Sequence, residues 1–230
     1  MSSALTQRKC RLCLTLSSKL REWYCRLIGR HRHCRRINSR TQSSARRVSE
    51  LDCASPNCAC ERFRMSAHSP RPVGQSENLA RFVFSPLHLT KKGDLNPSFF
   101  SHVTTKGCSL QRDSIATEEE LREFVQAFLS RDTKRSWKGV VSARCADVRS
   151  ITPGSSADGV RRAICVYDTA EEGNPAHAEM CSARSIQEAD AAELRRHLMA
   201  AFGDGKILEP GAFRGGAIWN ALPESLRVRR

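Results

Sequence analysis

Residues 117–129, Thr-Glu-Glu-Glu-Leu-Arg-Glu-Phe-Val-Gln-Ala-Phe-Leu, decide how this chain is read. Thr117 and Glu120 stand at capping-box spacing, where the hydroxyl accepts from a free backbone amide and the glutamate reaches back to the cap. Glu118, Glu119 and Glu120 lie at the positive end of the helix dipole. Leu121, Phe124, Val125, Phe128 and Leu129 then recur at i, i+3, i+4, i+7 and i+8, which makes one apolar stripe. The spacing predicts a helix over 117–131 that packs on a sheet.

Strand patterns flank this helix. Upstream, Ala80, Phe82 and Phe84 alternate in a short strand. Asp94 to Pro97 is turn chemistry before Phe99 and Phe100, and Gly107 leads into a brief strand over 108–112. Downstream, Trp137, Val141, Ala143 and Cys145 share one face at period two. The phase then moves to Val148 and Ile151, which predicts one long strand carrying a bulge or bend. A turn over 153–159 leads to Arg162–Asp168, nearly continuous in apolar residues as a central strand would be. After a loop to Pro175, His177–Cys181 returns antiparallel. A second helix over 187–202 opens after Ser185, takes Glu188 as its capping partner and buries Leu194, Leu198, Met199 and Phe202. Gly203 ends it. The order predicts an α+β fold: an antiparallel sheet of four to five strands with two helices packed on one face.

Charge divides the 230 residues. Residues 1–64 hold 15 Lys/Arg against 4 Asp/Glu, a net of +11 out of +14 for the chain, and 7 of its 11 cysteines. We therefore read 1–75 as a basic Arg/Cys/Ser-rich extension, 76–210 as the α+β domain and 211–230 as a flexible tail. Clustered arginines and few large apolar groups predict a disordered extension. The same composition suits untranslated upstream sequence, in which case the protein starts at Met65. Leu16, Leu20, Trp23, Leu27 and Ile28 recur at helical spacing among basic residues, as in a targeting or membrane-surface helix, and residues 1–49 contain one acid, Glu22, as an organellar transit peptide would. Lys9, Arg11, Lys19 and Arg21 interrupt any secretory apolar core. No stretch approaches the ~18 consecutive apolar residues of a membrane span. The expected setting is cytoplasmic and reducing.

Three sets of side chains carry candidate chemistry. Cys10, Cys13, His31 and Cys34 form two close pairs, the arrangement that tetrahedral zinc requires. Arg35, Arg36, Arg46 and Arg47 suit salt-sensitive attraction to nucleic-acid phosphate. His177 and Glu179 share a strand face, with Asp168 across the hairpin and His88 and His102 in the first loops, a set suited to metal-assisted hydrolysis. The same pair has a simpler reading as solvent-facing residues of an edge strand. His177-Ala-Glu179 is similar to the His-x-Glu element of zinc-dependent nucleoside and nucleic-acid deaminases. That family also needs a downstream Pro-Cys-x-x-Cys, and here only Cys181 follows.

Cys145 and Cys165 fall on expected core faces, whereas Cys108 beside Gly107 is a candidate for exposure. Arg112, Arg144, Arg149, Arg161 and Arg162 read as dispersed surface charges, Arg149 and Arg162 forming a strand-end patch. The sequence favours a non-enzymatic binding or accessory protein without a cofactor, its basic stretch attracting nucleic acid. A metal-assisted hydrolase built on His177, Glu179 and Asp168 is the competing expectation.

Overall fold

A computed structural model describes residues 61, 66–105, 107–152, 163–182 and 188–208. Its strands are β1 (Asn78–Ser85), β2 (Cys108–Arg112), β3 (Ser136–Arg144), β4 (Ile164–Asp168) and β5 (His177–Ser182). They form one antiparallel sheet in the order β3-β1-β2-β5-β4. The helices are α1 (Glu118–Leu129), α2 (Cys145–Ser150) and α3 (Glu188–Ala201), with a 3-10 helix over Pro97–Thr104. This is the expected α+β class.

The capping box forms. The Thr117 hydroxyl accepts from the Glu120 backbone N–H at 3.3 Å, and the Glu120 carboxylate accepts from the Thr117 N–H at 2.8 Å. Leu121 and Val125 of α1 pack on Ala80, Phe82, Phe84 and Trp137. Leu194 and Leu198 of α3 instead join Leu79, Val83, Leu110 and Met180. Since Leu79 and Val83 alternate along β1 with Ala80, Phe82 and Phe84, these two clusters lie on opposite faces. The expected placement of both helices on one face is corrected: β1 is apolar on both sides, and each side needs its own cover.

Two strand expectations also change. β3 stops at Arg144, and Cys145, Val148 and Ile151, spaced by three, belong to the turn of α2 rather than to a bulged strand. A bulge does occur earlier, where Phe84 pairs with Trp137 but Val83 pairs with Gly139. It turns Trp137 toward α1 while Val141 and Ala143 face the other cluster. Gly139 has φ +126°, and a Cβ there would collide with the Leu208 carbonyl. That approach is needed because the Leu208 backbone exchanges hydrogen bonds with Val140. The run Ile164–Asp168 is the outer strand of the sheet, and β5 is the interior one.

Residues 66–75 belong to the extension by composition, yet they pack on the domain. Ser66, Ser69 and Val73 are buried, and the Ser66 hydroxyl donates to the Ala170 carbonyl at 2.6 Å. Two arginines read as surface charges hold this lead-in. Arg112 has no exposed surface and forms a two-point pair with Glu77, at 2.8 and 2.9 Å. It also donates to the Arg71 and Pro72 carbonyls at 2.8 and 3.2 Å. Arg149, likewise buried, donates to the Val73 and Val166 carbonyls at 3.1 and 3.2 Å and to Glu61 at 3.3 Å. The Arg71, Pro72 and Val73 carbonyls belong to irregular chain and Val166 to the outer strand β4, so a guanidinium fork supplies donors that no strand neighbour offers. Of the remaining charges in that reading, Arg144 is exposed, and Arg161 and Arg162 lie outside the described residues.

Burial alone would push the Glu77 carboxyl up. The hydrogen bonds from Arg112 and the Gly74 N–H, with the positive charges of Arg112 and Arg71, bring it below the usual carboxylate value. A depressed folded-state value stabilises the fold above the unfolded carboxylate range, and that contribution is lost as pH falls through the folded value. Glu77→Gln is expected to lower stability at pH 7 by about 3–5 kcal/mol, because Arg112 keeps a buried charge without its partner. Urea unfolding should also show a shallower acid loss in the variant than in the wild type. A chain starting at Met65 lacks Glu61 and should unfold at lower urea than the full chain; equal midpoints would show that the Glu61–Arg149 pair adds nothing.

Candidate ligand cleft

β1 and β2 meet at only two pairs, Leu79–Arg112 and Ala80–Gln111. Beyond them β1 follows β3 as far as Ser85 while β2 follows β5 back to Cys108, so the two strands part. Arg81 spans the gap. Its Nη1 donates to the Ser109 carbonyl at 2.9 Å and its Nη2 to the Phe99 carbonyl at 3.1 Å, and the guanidinium lies 4.5 Å from the Phe99 ring centre. The 3-10 helix delivers Phe99, and Asn96 caps that helix by accepting from the Ser98 N–H at 2.9 Å.

The parting opens a cleft of about 340 Å³, within the ~300–1,000 Å³ of small-molecule sites. Its apolar wall is aromatic. Phe82 and Phe124 approach to 4.9 Å between centroids, Phe84 and Phe128 stack at 4.1 Å, and Leu87 is half exposed beside them. Its polar lining includes Arg81, His88, His102, Gln111 and Arg131, with no carboxylate among the described residues. No carboxylate of the described residues pairs with Arg81.

Gln111 is 3 % exposed, and its side-chain amide meets no hydrogen-bonding group among the described residues. Nδ1 of His88 accepts from the Phe84 N–H at 3.1 Å, which leaves the ring proton on Nε2. Burial first, and then the Arg81 charge, lower His88 to about 4. It is therefore neutral at pH 7.

No family model, curated protein or solved structure matches this chain. Function must be read from the geometry.

The His177, Glu179 and Asp168 set is not assembled. Asp168 pairs with Ala178 and so faces the opposite side of the sheet from His177 and Glu179. There it approaches Arg112 at 3.9 Å and accepts from the Ala170 N–H at 3.3 Å. His177 Nδ1 donates to the Thr169 carbonyl at 3.1 Å and lies 2.9 Å from its hydroxyl. The pair is buried on an interior strand, not solvent-facing on an edge. His88 and His102 line the cleft instead of joining His177, and the described residues contain no group of three His, Cys, Asp or Glu placed to hold a metal ion.

Cys145 and Cys165 are buried as expected, and burial pushes the Cys145 thiol up to about 11. Cys108 is buried rather than exposed, and burial raises its thiol too. Cys10, Cys13, His31 and Cys34, together with Arg35, Arg36, Arg46 and Arg47, lie outside the described residues, as do the turn over 153–159 and Ser185. No helix of the described residues is long and apolar enough to cross a membrane.

Sequence reasoning passed over Arg81 and Gln111. One signal was present: Arg81 interrupts a strand face otherwise made of Leu79 and Val83.

A histidine held below its unfolded value of about 6.5 favours the fold above that value, and the contribution is lost as pH falls from there to about 4. NMR titration of the His88 ring should show it neutral at pH 5.5, about one unit below the ordinary histidine value of ~6.5. His88→Phe should flatten the stability profile between pH 6.5 and 4.

Proposed function

We propose that this chain is a non-enzymatic binding protein that takes a small organic ligand in the β1–β2 cleft. The observation that carries the reading is the cleft itself: an opening between two parted strands, walled by phenylalanine rings and crossed by an arginine that no carboxylate of the described residues pairs. Concave apolar sites with a few convergent polar groups are the usual form of small-molecule pockets. Its position supports the reading further, because it is built on strands and a capped helix, which hold lining side chains in fixed geometry.

Nucleic-acid attraction is a separate, second element of the proposal. It rests on the excess of 15 Lys/Arg over 4 Asp/Glu in residues 1–64, and phosphate attraction of this kind weakens steeply with salt. A reducing, cytoplasmic setting fits the buried free thiols of Cys108 and Cys145.

Two measurements test these elements. 1-Anilinonaphthalene-8-sulfonate should bind the full chain saturably with enhanced fluorescence, and Ala127→Trp, which places an indole in the cleft from an exposed helix position, should weaken that binding by at least about tenfold. Unchanged binding in Ala127→Trp removes the cleft as the site. Replacing Arg35, Arg36, Arg46 and Arg47 together by Gln should reduce single-stranded DNA binding and flatten its salt dependence. Equal affinity in the two chains ends the nucleic-acid element.

A further inference from the structure

We infer that Cys165 and Cys181 are a peroxide-sensitive dithiol, a modification site that closes reversibly to a disulfide between β4 and β5. The pair stands apart from the cleft, since neither residue lines it.

Register makes the pair. Cys165 lies directly opposite Cys181 in the antiparallel β4–β5 ladder. Their neighbours Ile164, Val166 and Met180 enter the core cluster of Leu194 and Leu198. Alternation therefore sends both cysteine side chains to the other face of the sheet, on the same side as each other. Cys108 and Cys145 belong to the first cluster, so the sheet separates them from this pair. All four are reduced and buried.

The backbone sets the spacing. The Val166 N–H donates to Glu61 at 2.8 Å and the Val166 carbonyl accepts from Arg149 at 3.2 Å, so both point away from β5. Backbone groups of successive residues point to alternate sides of a strand, which leaves Cys165 and Cys181 as a hydrogen-bonded pair. The Cα atoms of such a pair stand ~5.5 Å apart, inside the ~4.4–6.8 Å range of disulfides. Directly opposed Cβ atoms stand ~4.5–5.5 Å apart against ~3.8 Å in a disulfide, so the bond draws the two strands slightly together. β4 can follow, because it is the outer strand and has a ladder on one side alone. A disulfide under such tension is readily reduced, which makes the modification reversible.

Hydrogen peroxide balances the step. One thiolate attacks a peroxide oxygen, the O–O bond breaks, and the sulfur becomes a sulfenic acid as water leaves. The opposite thiolate attacks that sulfur, the S–O bond breaks, and the departing hydroxide takes up the second thiol proton as water. Two thiols and one peroxide give one disulfide and two waters; the sulfurs lose the electron pair that the peroxide oxygens gain. Peroxide is close to water in size, so it reaches a buried thiol during local opening of an edge strand.

The test treats the reduced full chain with hydrogen peroxide in native buffer, alkylates the remaining thiols in urea and digests with trypsin without reductant. Residues 163–184 contain no Lys or Arg before Arg184, so both cysteines fall in one peptide. That peptide should appear unalkylated and lighter by the mass of two hydrogens, and dithiothreitol should restore two alkylatable thiols. Cys108 and Cys145 should stay alkylatable, because burial raises both thiols and Cys108 faces Met180 across its ladder. At least one of Cys165→Ser and Cys181→Ser should accumulate a sulfenic acid that dimedone captures on the remaining cysteine, since the opposite thiol is gone. Capture in neither variant overturns the inference. So does a wild-type peptide that keeps both thiols at peroxide levels that oxidise free cysteine, or a bond from either residue to some other cysteine instead of to its partner. A bond that forms only after urea unfolding overturns it as well, because register would then play no part.

Discussion

A guanidinium with no contact to solvent anchors the start of this fold. Arg112 sits at the end of β2, and its fork reaches Glu77 together with the carbonyls of Arg71 and Pro72. Isolated in such a place, one charge would be strongly disfavoured. Paired, it converts an irregular stretch into part of the domain, and Arg149 does the same one residue further on, at Val73. The consequence reaches β1 directly, because Glu77 immediately precedes it. From Glu77 the chain enters β1 with Leu79 facing one core and Ala80 the other.

That anchored register explains the cleft. β1 and β2 are tied where Arg112 sits, and only there do they share a ladder. Away from it, β1 follows the bulged β3 while β2 follows β5, and the twist of an antiparallel sheet carries the two apart. Arg81 takes over at that point, giving side-chain hydrogen bonds where backbone ones have ended. A single opening is thus lined by Phe124 and Phe128 of α1, Arg81 of β1 and Gln111 of β2. None of these groups is unusual by itself. Their meeting is a product of strand divergence.

Much of the secondary structure was legible because its signals are local. The capping box at Thr117 and Glu120, the alternation through Phe82 and Phe84, and the stop at Gly203 each need only neighbouring residues. Gly203 does take a left-handed conformation, with φ +69°. The misreadings share a different origin. Cys145, Val148 and Ile151 fit both a strand with a phase change and a short helix, and only packing distinguishes them. Asp168 is a companion to His177 and Glu179 by sequence, yet a register displaced by one position sends its side chain through the sheet. Arg112 and Arg149 looked like solvated charges because their partners are distant in sequence: Glu77 is 35 residues from Arg112, and Glu61 is 88 from Arg149.

By itself the sequence determined the α+β class, the extents of the two long helices and the concentration of positive charge before Met65. Capping, periodicity and composition depend on nearby residues or on none. Only the tertiary structure decided which face each helix covers, that β2 lies between β1 and β5, and that Arg81 and Gln111 share a cleft. Those are relations between distant segments, set by which strands pair and by which buried charges find partners, and no local pattern encodes them.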